Sequence, residues 1–444
     1  MWWLKDVWVV DPSQKLSSPQ SVLIKEGKIL DIVSSITEEE VLSKAQGENV
    51  ETINGQGKFL FPGLIDVHTH LREPGQEDKE DILSGSQAAV RGGFTTILAM
   101  ANTQPVIDKR ALVEFVRLQG ERAGYAHVLP IGTVTKGMQG QELVEMADMK
   151  EGGAAAFSDD GKNIQNAEVM RLALEYAKLT GLAIISHCED KDLAGDGLMR
   201  RGVASGRMGL RGIPASAESV VVARDLILAE ETGGKLHLAH ISTAESVELI
   251  RRAKARGVNV SAEVNPHHLI LCDEDIHLTD TVLKVNPPLA SRKDREALID
   301  GLRDGTIDMI ATDHAPHTQA EKSRPFAEAP FGIASLETAL SAVYQHLVMP
   351  GKLTWERVIE AWSYLPAQRF RLSGGTLMPG ACADVVLFDP DLKEVIEPGS
   401  LVSKARNTPF LGKTLQGFPV MVWVEGKLVQ KDRRVLQQRS LQNI

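Results

Sequence analysis

The chain has 444 residues, 43% hydrophobic and 24% charged, which excludes disordered, collagen-like and low-complexity architectures and allows two or three domains, fewer if one is a large α/β barrel. Lys+Arg 49 against Asp+Glu 59 gives a net charge of −10 with no dense basic stretch, which argues against a nucleic-acid partner. Cys188, Cys272 and Cys382 are too few and too scattered for a disulfide framework or a Cys-x-x-Cys site, and no stretch reaches the roughly 18 apolar residues of a membrane span. These features predict a soluble cytoplasmic protein.

In chain order, residues 1–57 contain Ser21–Ile32, two apolar runs around Glu26-Gly27, which predicts a β-hairpin. From about residue 58 to 345, short apolar runs alternate with stretches of helical period. The runs are Phe61–Val67, Phe94–Met100, Ala126–Ile131, Ala154–Ser158, Leu182–His187, Lys235–His240, Val258–Glu263 and Ile307–Thr312. Glycines precede most of them, as helix C-termini favour, and Asn166–Thr180 and Ala217–Thr232 have the spacing of amphipathic outer helices. Eight strand–helix units without a Gly-x-Gly-x-x-Gly turn predict an α/β fold with a (β/α)8 TIM-like barrel rather than an open doubly wound sheet. A second hairpin is expected at Val420–Gln430. The two ends are therefore predicted to form one composite β-sandwich, residues 1–57 and 371–444, beside a catalytic barrel of residues 58–370.

Candidate chemistry lies where the runs end. His68 and His70 alternate along the first strand and so share a side. His187 ends the fifth run, His240 the sixth, Asp159 and Asp160 follow the fourth, and Asp313 follows the eighth, which places all of them at one barrel face. Four imidazoles and two carboxylates without thiolates suit Zn²⁺ or a similar divalent ion. Such a set holds one or two ions per subunit, two if a carboxylate bridges. An ion of this kind ionises water near neutral pH, so hydrolysis needs no nucleophilic side chain; neither a Gly-x-Ser-x-Gly elbow nor a phosphate-binding loop is present.

Phe61-Pro-Gly-Leu-Ile-Asp-Val-His-Thr-His-Leu-Arg-Glu-Pro-Gly75, Ala99-Met-Ala-Asn-Thr103, Phe157-Ser-Asp-Asp-Gly161, Ser186-His-Cys-Glu189, Ala239-His-Ile-Ser242 and Ala311-Thr-Asp-His-Ala-Pro316 resemble the amidohydrolase superfamily, and within it the bacterial dihydroorotase family. Ala383-Asp-Val-Val-Leu-Phe-Asp-Pro390 and Ser403-Lys-x-x-Asn-Thr-Pro-Phe410 extend the resemblance to nearly the whole chain. It implies reversible ring closure of N-carbamoyl-L-aspartate to L-dihydroorotate in pyrimidine synthesis. It also implies that His68 and His70 bind one ion, His187 and His240 the other, that Asp160 bridges, and that Asp313 binds metal and shuttles a proton. Hydantoinases and allantoinases, the alternative readings, bridge with a carboxylated lysine; here the fourth run delivers aspartates, and Lys162 reads as a loop residue.

For the anionic small-molecule substrate, Arg72 offers a planar fork to a carboxylate, Asn102 an amide donor and His317 a third contact. His314, His267 and His268 are left out of the metal set, and His127, His237, His277 and His346 read as structural. Ala320–Pro330 reads as a loop over the site. A homo-oligomer is expected, and a complex with aspartate transcarbamoylase, even as a catalytically inactive scaffold, is a further possibility of the same resemblance.

Overall fold

The alternation of apolar runs and helical stretches becomes a ring of parallel strands in the computed structural model, which describes residues 1–437. The strands are β1 (Leu64–Thr69), β2 (Phe94–Ala99), β3 (His127–Gly132), β4 (Ala156–Ser158), β5 (Ile184–Ser186), β6 (Leu236–Leu238), β7 (Val260–Val264) and β8 (Met309–Ile310), each hydrogen-bonded to the next. The ring closes where Thr69 bridges to His314 and where Asp66 accepts from Thr312 N (2.8 Å), Thr312 Oγ1 (2.5 Å) and Thr69 Oγ1 (2.7 Å). Burial of this carboxyl pushes its pKa up to about 6.

Ile65, Val67, Leu98, Met100, Ile131, Ile185 and Met309, on or next to the barrel strands, form one buried cluster together with Phe370. A larger cluster that includes Phe94, Phe157, Leu236, Ala173 and Leu226 packs strands against outer helices. The helices Ala167–Thr180 and Ser216–Thr232 match the expected periodic stretches. Gly93, Gly124 and Gly181 end their helices in the left-handed conformation, while Gly233 takes the place expected of Gly234.

The two chain ends share one nine-stranded sheet. Its order is Arg434–Val435, Lys427–Lys431, Thr414–Val424, Val385–Val395, Phe59–Pro62, Trp2–Asp11, Leu16–Lys25 and Lys28–Val33, with Glu51–Asn54 paired beside Trp2–Asp11. Lys28, on the last strand of that order, bridges directly to Cys382, just before Val385–Val395, so the sheet curls back on itself. It thereby encloses a cluster of Leu4, Val9, Ile24, Val385, Leu387 and Trp423. Alternate residues Val386, Phe388 and Val422 point instead to the barrel cluster, the period-2 pattern of a sheet buried on both faces.

One expected strand is divided. Phe59–Pro62 lies beyond residue 57 yet pairs with Trp2–Asp11 and Val385–Val395, and only Leu64–Thr69 enters the barrel. The break is at Gly63, where a Cβ would meet Thr95 Oγ1 at 2.0 Å. A glycine there lets the chain pass closely between sheet and barrel.

Candidate metal centre

His68 and His70 leave the end of β1, Asp160 follows β4, His187 follows β5, His240 follows β6 and Asp313 follows β8, so six polar side chains converge at the C-terminal barrel face. Asp160 is central. Its Oδ1 lies 3.6 Å from His68 Nε2, 3.3 Å from His187 Nδ1 and 3.5 Å from His240 Nε2, while its Oδ2 lies 3.6 Å from His70 Nε2. His187 Nδ1 and His240 Nε2 are 2.9 Å apart, and Asp313 Oδ1 is 3.5 Å from His68 Nε2 and 3.1 Å from His70 Nε2.

These spacings fit metal donors. Two ligand atoms on a tetrahedral zinc, each about 2.0–2.1 Å from the ion, are about 3.3–3.4 Å apart. Two donor triads satisfy this, His68–His70–Asp160 and Asp160–His187–His240, with Asp160 common to both. His68 Nε2 and Asp160 Oδ1 are buried and have no hydrogen-bond partner, as donors directed at an ion would be.

The surrounding contacts orient these donors. His68 Nδ1 donates to Glu263 Oε1 (2.7 Å) and His70 Nδ1 to Asn102 Oδ1 (2.9 Å), which leaves both Nε2 lone pairs facing Asp160 and Asp313. Burial lowers the pKa of His68, but Asp160, Asp313 and Glu263 outweigh it and hold the value well above the ordinary range. His187 is raised to about 10 against its own burial, by Asp160 and then Glu189. Despite burial, His68, His187 and His240 keep Asp160, and His68, His70 and His240 keep Asp313, well below the usual carboxylate range. Imidazoles and carboxylates here thus stabilise one another's charged forms, except that burial holds His70 below the ordinary range. His240 (φ 33°), Asp313 (φ 45°) and Arg72 (φ 61°) all adopt left-handed backbone, a strain that recurs where side chains are aimed for function.

Of the two adjacent aspartates, Asp159 accepts from Val134 N (2.8 Å), Thr135 N (3.1 Å) and Thr135 Oγ1, so it ties loops together while Asp160 faces the histidines. Lys162 is exposed. Asn102 already engages His70 and lies 3.4 Å from Asp160 Oδ2 through Nδ2. Arg72 Nε donates to Pro316 O (3.2 Å), and its Nη2 is 3.5 Å from His317 Nε2, which brings the two expected substrate contacts side by side. His314 points away, with Nε2 3.3 Å from Glu80 Oε2. His267 and His268 form a buried pair, and His268 Nε2 donates to Pro287 O (2.9 Å). Ala320–Pro330 is anchored at its base, where Lys322 Nζ donates to Thr281 O and Pro330 O, both at 2.8 Å.

Two contacts escaped the reading of the sequence. Glu263 also accepts from His237 Nε2 (2.9 Å), whose Nδ1 faces Ser261 Oγ (2.7 Å), so a polar row runs across β6 and β7 to His68. A charged residue closing the seventh apolar run was the available signal. Asn286 Nδ2 lies 2.7 Å from Glu189 Oε2 and 3.5 Å from His187 Nε2, and no motif marked it.

A parallel barrel with histidines and carboxylates gathered at its C-terminal face is the architecture of the metal-dependent amidohydrolases. Accordingly, residues 57–246 match the family described as Dihydro-orotase-like and residues 216–430 that described as Amidohydrolase family. The dihydroorotase of Pelotomaculum thermopropionicum is 50% identical over 423 residues, 93% of this chain and 99% of that protein, and the dihydroorotase of Halalkalibacterium halodurans is 46% identical with the same coverage. The chain belongs to the dihydroorotase family. Among solved structures, the L-hydantoinase of Arthrobacter aurescens shares the fold, with a TM-score of 0.85 at 24% identity over 98% of this chain and 97% of that one.

Proposed function

We propose that this chain catalyses the reversible cyclisation of N-carbamoyl-L-aspartate to L-dihydroorotate and water in pyrimidine biosynthesis, with His68, His70, Asp160, His187, His240 and Asp313 holding one or two zinc ions. The observation that carries the reading is the position of Asp160, whose carboxylate touches all four imidazoles at 3.3–3.6 Å in a chain of this family. A divalent ion held there brings the pKa of water from about 15.7 to about 7 and polarises a carbonyl.

The chain's own residues supply the remainder. In ring opening, the carboxylate of Asp313 takes the proton of the attacking water and passes it to the departing ring nitrogen. In closure, protonated Asp313 gives its proton to the side-chain carboxylate oxygen, then takes the proton shed by the ureido nitrogen as the new C–N bond forms and passes it to the same oxygen, which leaves as water. Arg72 pairs with the α-carboxylate, which is common to both compounds, and the Asn102 amide and His317 flank it. Zinc and other metals measured on the same preparation as dihydroorotate turnover test this. Turnover independent of metal content, or hydantoin or allantoin preferred to dihydroorotate, would overturn it.

A homo-oligomer is supported by two outward apolar stripes. Leu172 and Leu179 on Ala167–Thr180, and Val220 and Ile227 on the neighbouring Ser216–Thr232, are each seven residues apart, close to two helical turns. Leu179 is 81% exposed and Ile227 61%. Light scattering of wild type against Leu179→Glu checks it, and a monomeric wild type refutes it. No helix among the described residues is long and apolar enough to cross a membrane. Three free thiols, two of them buried, support a reducing, cytoplasmic location.

A further inference from the structure

Between Val385–Val395 and Thr414–Val424 the chain leaves the terminal sheet and crosses to the mouth of the barrel, carrying Ser403-Lys-x-x-Asn-Thr-Pro-Phe410. Two buried carboxylates hold the start of this strap. Glu337 accepts from Val402 N (2.9 Å) and Ser403 N (3.0 Å), and Glu80 accepts from Ser403 Oγ and Lys404 N (3.3 Å).

Further along, Asn407 is buried against the loop that follows β8. Its Oδ1 accepts from His317 N (3.2 Å), and its Nδ2 donates to Ala315 O (3.2 Å) and Gly332 O (3.1 Å). Its own carbonyl accepts from Ala334 N (3.0 Å), and His317 Nε2 donates to Phe331 O (2.8 Å). One acceptor and two donors meet one backbone N–H and two backbone carbonyls, a match that aspartate, without donors, cannot make.

The loop has a second, separate anchor. His314 Nδ1 accepts from Ser335 N (3.1 Å) and its Nε2 faces Glu80, which fixes the residue beside Asp313. The work is thus divided. The His314 anchor serves the proton-transfer end, whereas Asn407 serves Ala315–His317, where the Pro316 carbonyl receives Arg72 Nε and His317 lies against Arg72 Nη2.

We infer that Asn407, outside the barrel, is a positioning residue for substrate carboxylate recognition: it places Pro316 and His317 and, through them, the guanidinium of Arg72. The inference rests on the assignment of Arg72 and His317 as substrate contacts. Because Asp313 keeps its own anchor, loss of Asn407 falls on substrate affinity more than on turnover.

Steady-state kinetics of Asn407→Ala in both directions test this. KM for N-carbamoyl-L-aspartate and for L-dihydroorotate should each rise about tenfold or more, while kcat changes less than about threefold and metal content holds. Asn407→Ser, which keeps a single donor, should fall between wild type and Asn407→Ala, and decides the matter if the alanine variant does not fold. In an Arg72→Met background the alanine change should add little to KM, since both act on one contact. A folded Asn407 variant with KM within about twofold of wild type, a loss confined to kcat, or full additivity with Arg72→Met would overturn the inference. Arg72→Met with an unaltered KM would instead remove the carboxylate assignment and the inference with it. A silent Asn407 variant beside an impaired Arg72→Met overturns the role of Asn407 alone.

Discussion

Glu263→Ala tests whether the metal centre depends on groups that never touch the substrate. Glu263 is fully buried at the end of β7 and accepts the Nδ1 proton of His68 at 2.7 Å and the Nε2 proton of His237 at 2.9 Å. Without it, nothing holds the His68 proton on Nδ1, and the Nε2 lone pair is no longer directed at Asp160 and Asp313. Loss of such an outer contact typically lowers metal affinity about 10- to 100-fold, or about 1.4–2.7 kcal/mol. Two buried ring nitrogens are also left unpaired, at about 1–3 kcal/mol each, so stability should fall by about 2–6 kcal/mol. Glu263→Gln keeps an acceptor for His68 and an amide donor toward His237, whose ring can change tautomer and donate to Ser261. Its losses should be the smaller. The assay is zinc titration of the apoprotein against a chromophoric chelator, with thermal melts of apo and loaded protein. A folded Glu263→Ala protein with native zinc affinity would refute the argument.

Asp313→Asn keeps the shape of the side chain but cannot carry the proton, so turnover should fall by at least about 10²-fold with the protein folded and metal still bound; near-native turnover at confirmed metal content would count against the assignment. Asp160→Ala should empty at least one metal position, whereas Lys162→Ala, on an exposed side chain, should leave metal content unchanged; elemental analysis of both variants decides, and the reverse pattern would implicate the lysine. His127, on β3, lies 3.1 Å from Asp384 of the terminal segment; burial lowers its pKa, but the carboxylate outweighs burial and the value is raised. Its raised pKa stabilises the fold fully below the unfolded value of about 6.5 and loses that contribution as pH rises through the folded value. The melting difference between wild type and His127→Gln should therefore be largest in mild acid and shrink in alkali. A difference that widens with pH would contradict this.

Local periodicity was enough to show the barrel, because strand and helix patterns depend on neighbours within one element, and the ends of the apolar runs mark one face of a parallel ring. The alternation of His68 and His70, and the placement of His187, His240 and Asp313 after their strands, follow from that rule alone. What the ligands require of their surroundings does not, since it depends on residues far apart in the chain. Asp159 and Asp160 are indistinguishable until Val134 and Thr135 are seen to bind the first and leave the second to face the imidazoles. Glu263 meets His68 across 195 positions, and Asn407 reaches His317 across 90. Gly63 divides a continuous apolar run between two sheets at a point where Thr95 comes too close for a side chain. The sequence by itself determined the elements and the kinds of donor at their ends. Which donors face inward, and what holds them there, was decided only when packing brought distant backbone and side-chain groups within hydrogen-bond range, where burial requires each of them to find a partner.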